Sequence, residues 1–197
     1  MKKSLSIKNI TRIAILGALG AILMVIDFPI FVAPGFYKLD IGDLPCLIGA
    51  FAMGPISALF IQVIKILLKM LIKPTSTAFI GEIAAFIFSS VYCVIASIIY
   101  NKKKTKANAV IAILIGSIAM ILISVISNYL FIIPAYSKLY GMPIEVIVNL
   151  GSEIFPAVDN LLSFCLFCVL PFNVIKAVII DTLTLVLYKH ISPLLKG

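Results

Sequence analysis

Two polar side chains interrupt an apolar segment near the end of this chain. Asn173 and Lys176 stand three residues apart within residues 170–176, a spacing that places both on one face of a helix. Together they offer an amide donor, an amide acceptor and an ammonium group. Because such side chains are costly at membrane depth, the pair is a candidate functional site. It suits a flat small molecule with polar edges.

Further polar residues accompany the other apolar segments of the chain. They are Lys38 and Asp40 in a Pro-rich loop, then Lys65, Glu82 and Asn128. Each also has a purely structural interpretation. Asn128 fits an interhelical hydrogen bond, Glu82 and Lys65 fit an ion pair, and the loop residues fit solvated charges. Only their relative placement decides between these interpretations and a shared pocket.

The composition identifies an integral membrane protein. Of 197 residues, 62% are hydrophobic and only 12% are charged, which is more apolar surface than a soluble domain of this size can bury. The net charge of +8 would also suit a nucleic-acid-binding protein. However, the basic residues cluster at the ends of apolar segments, where they determine membrane topology. We therefore expect lipid as a partner and no nucleic acid.

No known catalytic motif is present. The chain has no Walker sequence, no GxSxG and no HExxH, and its single histidine is His190. Cys165 and Cys168 form a CxxC without a second pair, so small packing residues are favoured over a redox or metal site. We expect no catalytic residue and no metal. An intramembrane enzyme that uses Glu82 with Lys65, or the CxxC, stays as an alternative.

The apolar segments predict an all-α membrane protein, a single domain over residues 1–197. Gly54-Pro55 is a natural helix break. It divides one long segment and gives six transmembrane helices, at residues 8–26, 44–53, 55–72, 77–100, 107–133 and 171–188. An even number of crossings puts Lys2, Lys3, the lysines of residues 102–106 and Lys196 on the cytoplasmic side. An extra helix at residues 154–169 is expected in the outer loop before the last span, lying on the membrane or re-entering it.

This topology brings the scattered polar residues to one level. Asn173 and Lys176 open the last span at its outer end, and Asn128, Glu82, Lys65 and Asp40 lie near the outer ends of other segments. A polar pocket that faces outward between Phe and Tyr side chains is therefore predicted. The cytoplasmic half is nearly bare of buried polar groups, so the pocket should capture a ligand from outside without a route inward of its own.

The first span carries alanines four residues apart, Ala14 and Ala18. Small residues at this spacing allow close approach of another helix. That helix belongs either to this subunit or to a second membrane protein.

With these residues in place, the chain resembles the riboflavin-specific substrate-binding (S) components of energy-coupling factor (ECF) transporters, the RibU family. The resemblance covers nearly the whole length. It is carried by the alanine-spaced first helix, residues 37–45 (YKLDIGDLP), Gly54-Pro55, Ile64-Lys65, Ser76-Thr77-Ala78 with Gly81-Glu82, Asn128-Tyr129 with Pro134 and Tyr136, and Pro171-Phe172-Asn173 with Lys176.

The resemblance implies a six-helix S component in the plasma membrane of a prokaryote, with no enzymatic activity. Riboflavin would be its transported ligand and not a cofactor. Ala14 and Ala18 would face a transmembrane T subunit that works with two cytoplasmic ATPases. Ligand-binding residues carried over from the family are Leu39, Asp40, Lys65, Thr77, Glu82, Asn128, Tyr136, Asn173 and Lys176. Of these, Asn128, Asn173 and Lys176 would bind the isoalloxazine ring. Leu39, Asp40 and the start of the fourth span would meet the ribityl chain or close over it. An S component for another vitamin or a related flavin stays as an alternative.

Overall fold

A computed structural model describes residues 6–75 and 77–195, with side chains as far as residue 187. Lys2, Lys3, Ser76 and Lys196, which entered the sequence-based argument, lie outside the described residues. The helices are α1 (Ile7–Val25), α2 (Asp43–Met53), α3 (Pro55–Ile72), α4 (Ile80–Lys102), α5 (Lys106–Ser127), α6 (Ile133–Tyr140), α7 (Ile144–Ser152), α8 (Leu161–Phe164) and α9 (Leu170–Leu195). A two-residue antiparallel pair, β1 (Phe28–Pro29) and β2 (Lys38–Leu39), closes the loop between α1 and α2.

Five of the described helical segments are long and apolar enough to cross a membrane, and they are Ile7–Val25, Pro55–Ile72, Ile80–Lys102, Lys106–Tyr140 and Leu161–Leu187. The sixth predicted span is the short α2. It reverses direction into α3 at Gly54, whose φ of 93° favours glycine. An eleven-residue helix is tolerated at membrane depth because α1, α3, α4 and α9 surround it, and most of its side chains are buried.

Two π-helical turns extend the last two long segments beyond their predicted bounds. Asn128–Ile132 joins α5 to α6, and Cys165–Val169 joins α8 to α9. A proline follows each turn by two residues, at Pro134 and Pro171. The ring of a proline clashes with the carbonyl four residues before it, which in both cases lies within the widened turn. The helix therefore continues through both prolines.

The bounds of the predicted outer helix and of the last span are wrong. Residues 154–160 form turns, and the last span begins at Leu161, where Asn160 and Ser163 make a reciprocal capping box. The outer loop does contain a separate helix, but it is α7, which lies earlier in the chain. Asn173 therefore lies twelve residues into the last helical segment and not at its outer end.

The apolar side chains form two core clusters. The inner cluster fills the half of the bundle that ends at the lysines of residues 102–106. It includes Leu47, Phe51, Ile61 and Ile113, and Phe51 stacks on Tyr100 with ring centroids 4.2 Å apart. The outer cluster joins the loop between α1 and α2 to α7, α8 and α9. The ligand-sized cavity lies on the outer side of the inner cluster.

The expectation that the cytoplasmic half is nearly bare of buried polar groups is wrong. The hydroxyl of Tyr92 in α4 donates to Asp181 in α9, and Ser97 Oγ donates to the Ala50 carbonyl at 2.6 Å. These groups satisfy one another across helices, as polar side chains between transmembrane helices do.

Candidate functional site

A cavity of about 440 Å³ occupies the outer half of the bundle. Its walls come from the end of α1, the loop between α1 and α2 (residues 26–42, here called loop 1), the start of α2, α3, the start of α4, α5 with its π turn, α6, α7 and α9. The volume lies within the range of small-molecule sites. Seven of the nine predicted ligand-binding residues line it, namely Asp40, Thr77, Glu82, Asn128, Tyr136, Asn173 and Lys176.

The remaining two, Leu39 and Lys65, do not line the cavity. Leu39 is 1% exposed and packs into the outer core cluster. Lys65 is also 1% exposed, and its Nζ lies 2.6 Å from Oδ1 of Asp43. The ammonium of Lys65 is thus committed to a buried carboxylate, behind the cavity wall.

The walls are aromatic, as predicted. The ring of Tyr37 lies 5.4 Å from that of Phe172, and Phe36 lies 6.4 Å from Tyr136. Each of these four rings belongs to a residue that lines the cavity. Tilted ring pairs at such distances are favourable contacts. Loop 1 thus brings two aromatic side chains over a site whose other walls are helices.

Loop 1 also bonds two of the predicted ligand-binding residues. The Tyr37 hydroxyl donates to Oδ1 of Asn128 at 2.6 Å, and Lys176 Nζ lies 2.9 Å from Oδ2 of Asp40. Burial raises the pKa of Tyr37 well above its ordinary value, with smaller contributions from Cys165 and Tyr136. The phenol therefore stays protonated and acts as a donor to the amide.

The two site amides have fixed orientations. Asn128 Nδ2 donates to the Ser124 carbonyl, and Asn173 Nδ2 donates to the Val169 carbonyl, each at 2.8 Å. Asn128 begins the first π turn, and Val169 ends the second. π turns are frequent at functional sites because they change which groups a helix presents. Sequence reasoning missed both turns, although the Pro two residues after each is a signal for a helix irregularity.

A chain of alternating charges runs along one wall of the cavity and ends behind it. Lys176 Nζ lies between Oδ2 of Asp40, at 2.9 Å, and Oδ2 of Asp43, at 3.4 Å. Asp43 Oδ1 in turn holds Lys65. Asp43 is the first residue of α2, where a negative charge is also favoured by the helix dipole. The sequence analysis did not select Asp43.

Three lysines spaced four residues apart, two in α3 and the third directly after it, each pair with a different carboxylate. Lys65 pairs with Asp43 at 2.6 Å, Lys69 with Glu82 at 2.7 Å, and Lys73 with Asp27 at 2.6 Å. Lys65 and Glu82 thus each form an ion pair, but not with each other. The alternative that they pair together is wrong. A spacing of i, i+4, i+8 places the three lysines along one helix face, a signal that the sequence contains.

Glu82 has protein partners for both carboxylate oxygens. Oε1 accepts from Lys69, and Oε2 accepts from the hydroxyls of Thr75 and Thr77 at 2.8 and 2.9 Å. The connection between α3 and α4, which contains both threonines, also has two residues with left-handed backbone, Ala78 (φ 46°) and Phe79 (φ 67°). The Thr75 hydroxyl oxygen accepts hydrogen bonds from the backbone N–H groups of Thr77 and Phe79, which stabilises this uncommon conformation.

The CxxC cysteines lie at the second π turn as buried free thiols. They pack in the outer core cluster beside Phe164 and Phe172. Among the described residues, no group of three His, Cys, Asp or Glu side chains is placed to hold a metal ion.

The comparison with protein families decides what kind of cavity this is. Residues 8–188 match the family model described as "ECF transporter, substrate-specific component". The chain belongs to this family. Membership accounts for the membrane helices and for a cavity that is built to bind and not to catalyse. It removes the enzyme alternative, because members of this family are components of transporters.

Relatives match along nearly the whole chain. The riboflavin transporter RibU of Staphylococcus aureus (strain TCH60) is 29% identical over 189 residues, covering 96% of this chain and 93% of that protein. The riboflavin transporter FmnP of Bacillus subtilis (strain 168) is 24% identical, covering 96% and 94%. A solved structure of the S component of a bacterial ECF transporter superposes with a TM-score of 0.73 at 27% identity, covering 96% of this chain and 98% of the other.

Proposed function

We propose that this S component captures riboflavin from outside the cell for uptake by an ATP-driven ECF complex. The observation that carries the proposal is the set of Asn128, Asn173 and Lys176 on one cavity with aromatic walls. The pyrimidine edge of the isoalloxazine ring alternates C=O and N–H groups, and two amides with one ammonium supply the matching donors and acceptors. The relatives from S. aureus and B. subtilis are named as riboflavin transporters, which supports this ligand.

Each residue then has a distinct role. Asn128 and Asn173 recognise the ring edge, and Lys176 donates to a carbonyl or ring nitrogen. We assign Asp40, Thr77 and Glu82, which also line the cavity, to the hydroxyls of the ribityl chain, and Tyr136 to the wall. Leu39 supports loop 1 by packing, and Lys65 supports Asp43, so we assign neither a direct contact with the ligand.

The ligand itself is tested by colour and titration. Protein purified from cells grown with riboflavin should be yellow and carry the absorption spectrum of a flavin, and stripped protein should regain it when riboflavin is added. A colourless protein that quenches no riboflavin fluorescence would contradict the proposal. An S component for a different vitamin would give that result and would be identified by mass spectrometry of the released ligand.

Partner docking is proposed for α1. Its inward face packs on α3 through Gly17, where a Cβ would come within 2.5 Å of the Ile64 side chain. Ala14 is exposed and Ala18 is half-exposed, so both lie outside this internal contact. Small residues on an uncovered face in a membrane leave room for a close helix partner. We assign this face to a T subunit that works with two cytoplasmic ATPases.

Replacing Ala18 by Trp should reduce riboflavin uptake at least about tenfold in cells and leave riboflavin affinity unchanged, because the bulky ring blocks close helix packing. Uptake of labelled riboflavin and fluorescence titration of the purified protein measure the two quantities. The control is Ile118→Trp on α5, an exposed position on a different helix. Loss of affinity in Ala18→Trp would instead show that this position packs within the subunit.

A further inference from the structure

Asp43 is a buried carboxylate on the cavity wall to which the proposed function gives no role. It is 1% exposed and lines the cavity at the start of α2. Its Oδ1 accepts from Lys65 Nζ at 2.6 Å and from Gln62 Nε2 at 3.5 Å. Its Oδ2 is a buried atom without a hydrogen bond and lies 3.4 Å from Lys176 Nζ. One oxygen is therefore fixed by α3, and the other faces Lys176.

Lys176 has two carboxylates around a group with three donors. Asp40 Oδ2 and Asp43 Oδ2 lie 2.9 and 3.4 Å from its Nζ. An ammonium held on two sides keeps a third N–H for a ligand. Holding a long side chain in place before a ligand arrives removes part of the entropy cost of binding.

The two carboxylates differ in how firmly they are held. Asp40 belongs to loop 1, and its other oxygen, Oδ1, accepts from the backbone N–H of Gly42 at 2.8 Å. Asp43 begins a buried helix and is fixed by Lys65, itself fully buried. Loop 1 lies over the cavity with Tyr37, whereas α2 is packed among α1, α3, α4 and α9. Asp43 is therefore the more firmly held of the two partners of Lys176.

We propose that Asp43, held by Lys65, is a positioning residue that keeps the Lys176 ammonium directed into the cavity. The inference rests on the proposed function in that Lys176 contacts riboflavin. A buried ion pair is not needed for stability alone, since apolar residues of similar volume often replace one without loss. The contact from Asp43 Oδ2 to Lys176 gives the Asp43–Lys65 pair a role in recognition.

The test is a double-mutant cycle on riboflavin affinity in the full chain. Asp43→Asn combined with Lys65→Met removes both charges of the pair and avoids an unpaired buried lysine. We expect this double substitution to weaken binding about tenfold when Lys176 is present, and less than about twofold in the Lys176→Met background. Equal losses in both backgrounds, or no loss in either, would overturn the proposal.

The matched control is Asp181→Asn, which neutralises another carboxylate of the bundle. Asp181 lies five residues after Lys176, bonds Tyr92, and does not line the cavity. The affinity of the Asp181→Asn variant for riboflavin should equal that of the unsubstituted protein. A tenfold loss here as well would mean that neutralising any internal carboxylate disturbs the site, and would remove the specific role of Asp43.

A measurement without ligand separates this proposal from the proposed function. The test uses ligand-free protein and a small, water-soluble, amine-reactive reagent, with the products followed by peptide mass spectrometry. The reagent should modify Lys176 several-fold faster in the Asp43→Asn/Lys65→Met variant than in the unsubstituted chain. If the unsubstituted protein binds no riboflavin, the proposed function fails, and this rate alone decides the role of Asp43. An unchanged rate would overturn the positioning role whatever the ligand is.

Discussion

Lys176→Met should weaken riboflavin binding roughly 10- to 100-fold while the helical bundle stays folded. A hydrogen bond from a charged donor contributes about 1.5–3 kcal/mol, which corresponds to that range of affinity. The substitution keeps side-chain length and removes the ammonium. Asp43 keeps its ion pair with Lys65, whereas Asp40 loses its ion pair and keeps the hydrogen bond from the Gly42 N–H. Fluorescence titration in detergent measures the affinity.

Lys138→Met provides the control for this substitution, because Lys138 is an exposed lysine of α6 that does not line the cavity. The affinity and the thermal unfolding midpoint of Lys138→Met should match those of the unsubstituted protein. Lys176→Met should stay folded with a lower midpoint, because the buried Asp40 loses its cation. Unchanged affinity in Lys176→Met would show that the ring binds elsewhere in the cavity.

Asp43→Asn alone should destabilise the folded protein by about 3–5 kcal/mol, the usual cost of leaving one partner of a buried ion pair alone. Lys65 is 1% exposed, and Asp43 is the carboxylate that pairs with it among the described residues. Adding Lys65→Met should restore most of the lost stability, because the remaining side chains carry no uncompensated charge. Unfolding in detergent, followed by circular dichroism, measures both variants.

The comparison for this stability effect is Asp27→Asn. Asp27 also pairs with lysines, Lys38 and Lys73, but the lysine side chains are 45% and 39% exposed. Solvent-exposed ion pairs contribute about 1 kcal/mol or less, so this variant should unfold close to the unsubstituted protein. If Asp43→Asn were equally mild, the interior around Lys65 would have to admit water.

The sequence was sufficient for the overall architecture because the relevant signals are local or additive. Long apolar segments, the Gly54-Pro55 break and the distribution of lysines predict the six helical segments. The same reasoning brings Asn128, Asn173 and Lys176 to one side of the membrane, because the lysines determine which end of each helix faces outward. All three line one cavity in the structure.

What the sequence could not predict depends on contacts between distant residues. The partner of Lys65 is Asp43 and the partner of Glu82 is Lys69, a choice made by helix rotation and packing rather than by spacing. The last helix continues through Pro171 because the preceding π turn relieves the clash, although proline normally predicts a helix boundary. The contact between Tyr37 and Asn128 joins residues 91 positions apart.

The inner core cluster has a consequence for the membrane that contains this protein. Leu47, Phe51, Ile61 and Ile113 pack between the cavity and the lysine-rich end of the bundle. Ions cross a bilayer through hydrated pathways, and side chains packed as closely as in a protein interior leave no room for one. We therefore expect the subunit alone to conduct no ions. A membrane that contains it without its partners should still hold an ion gradient.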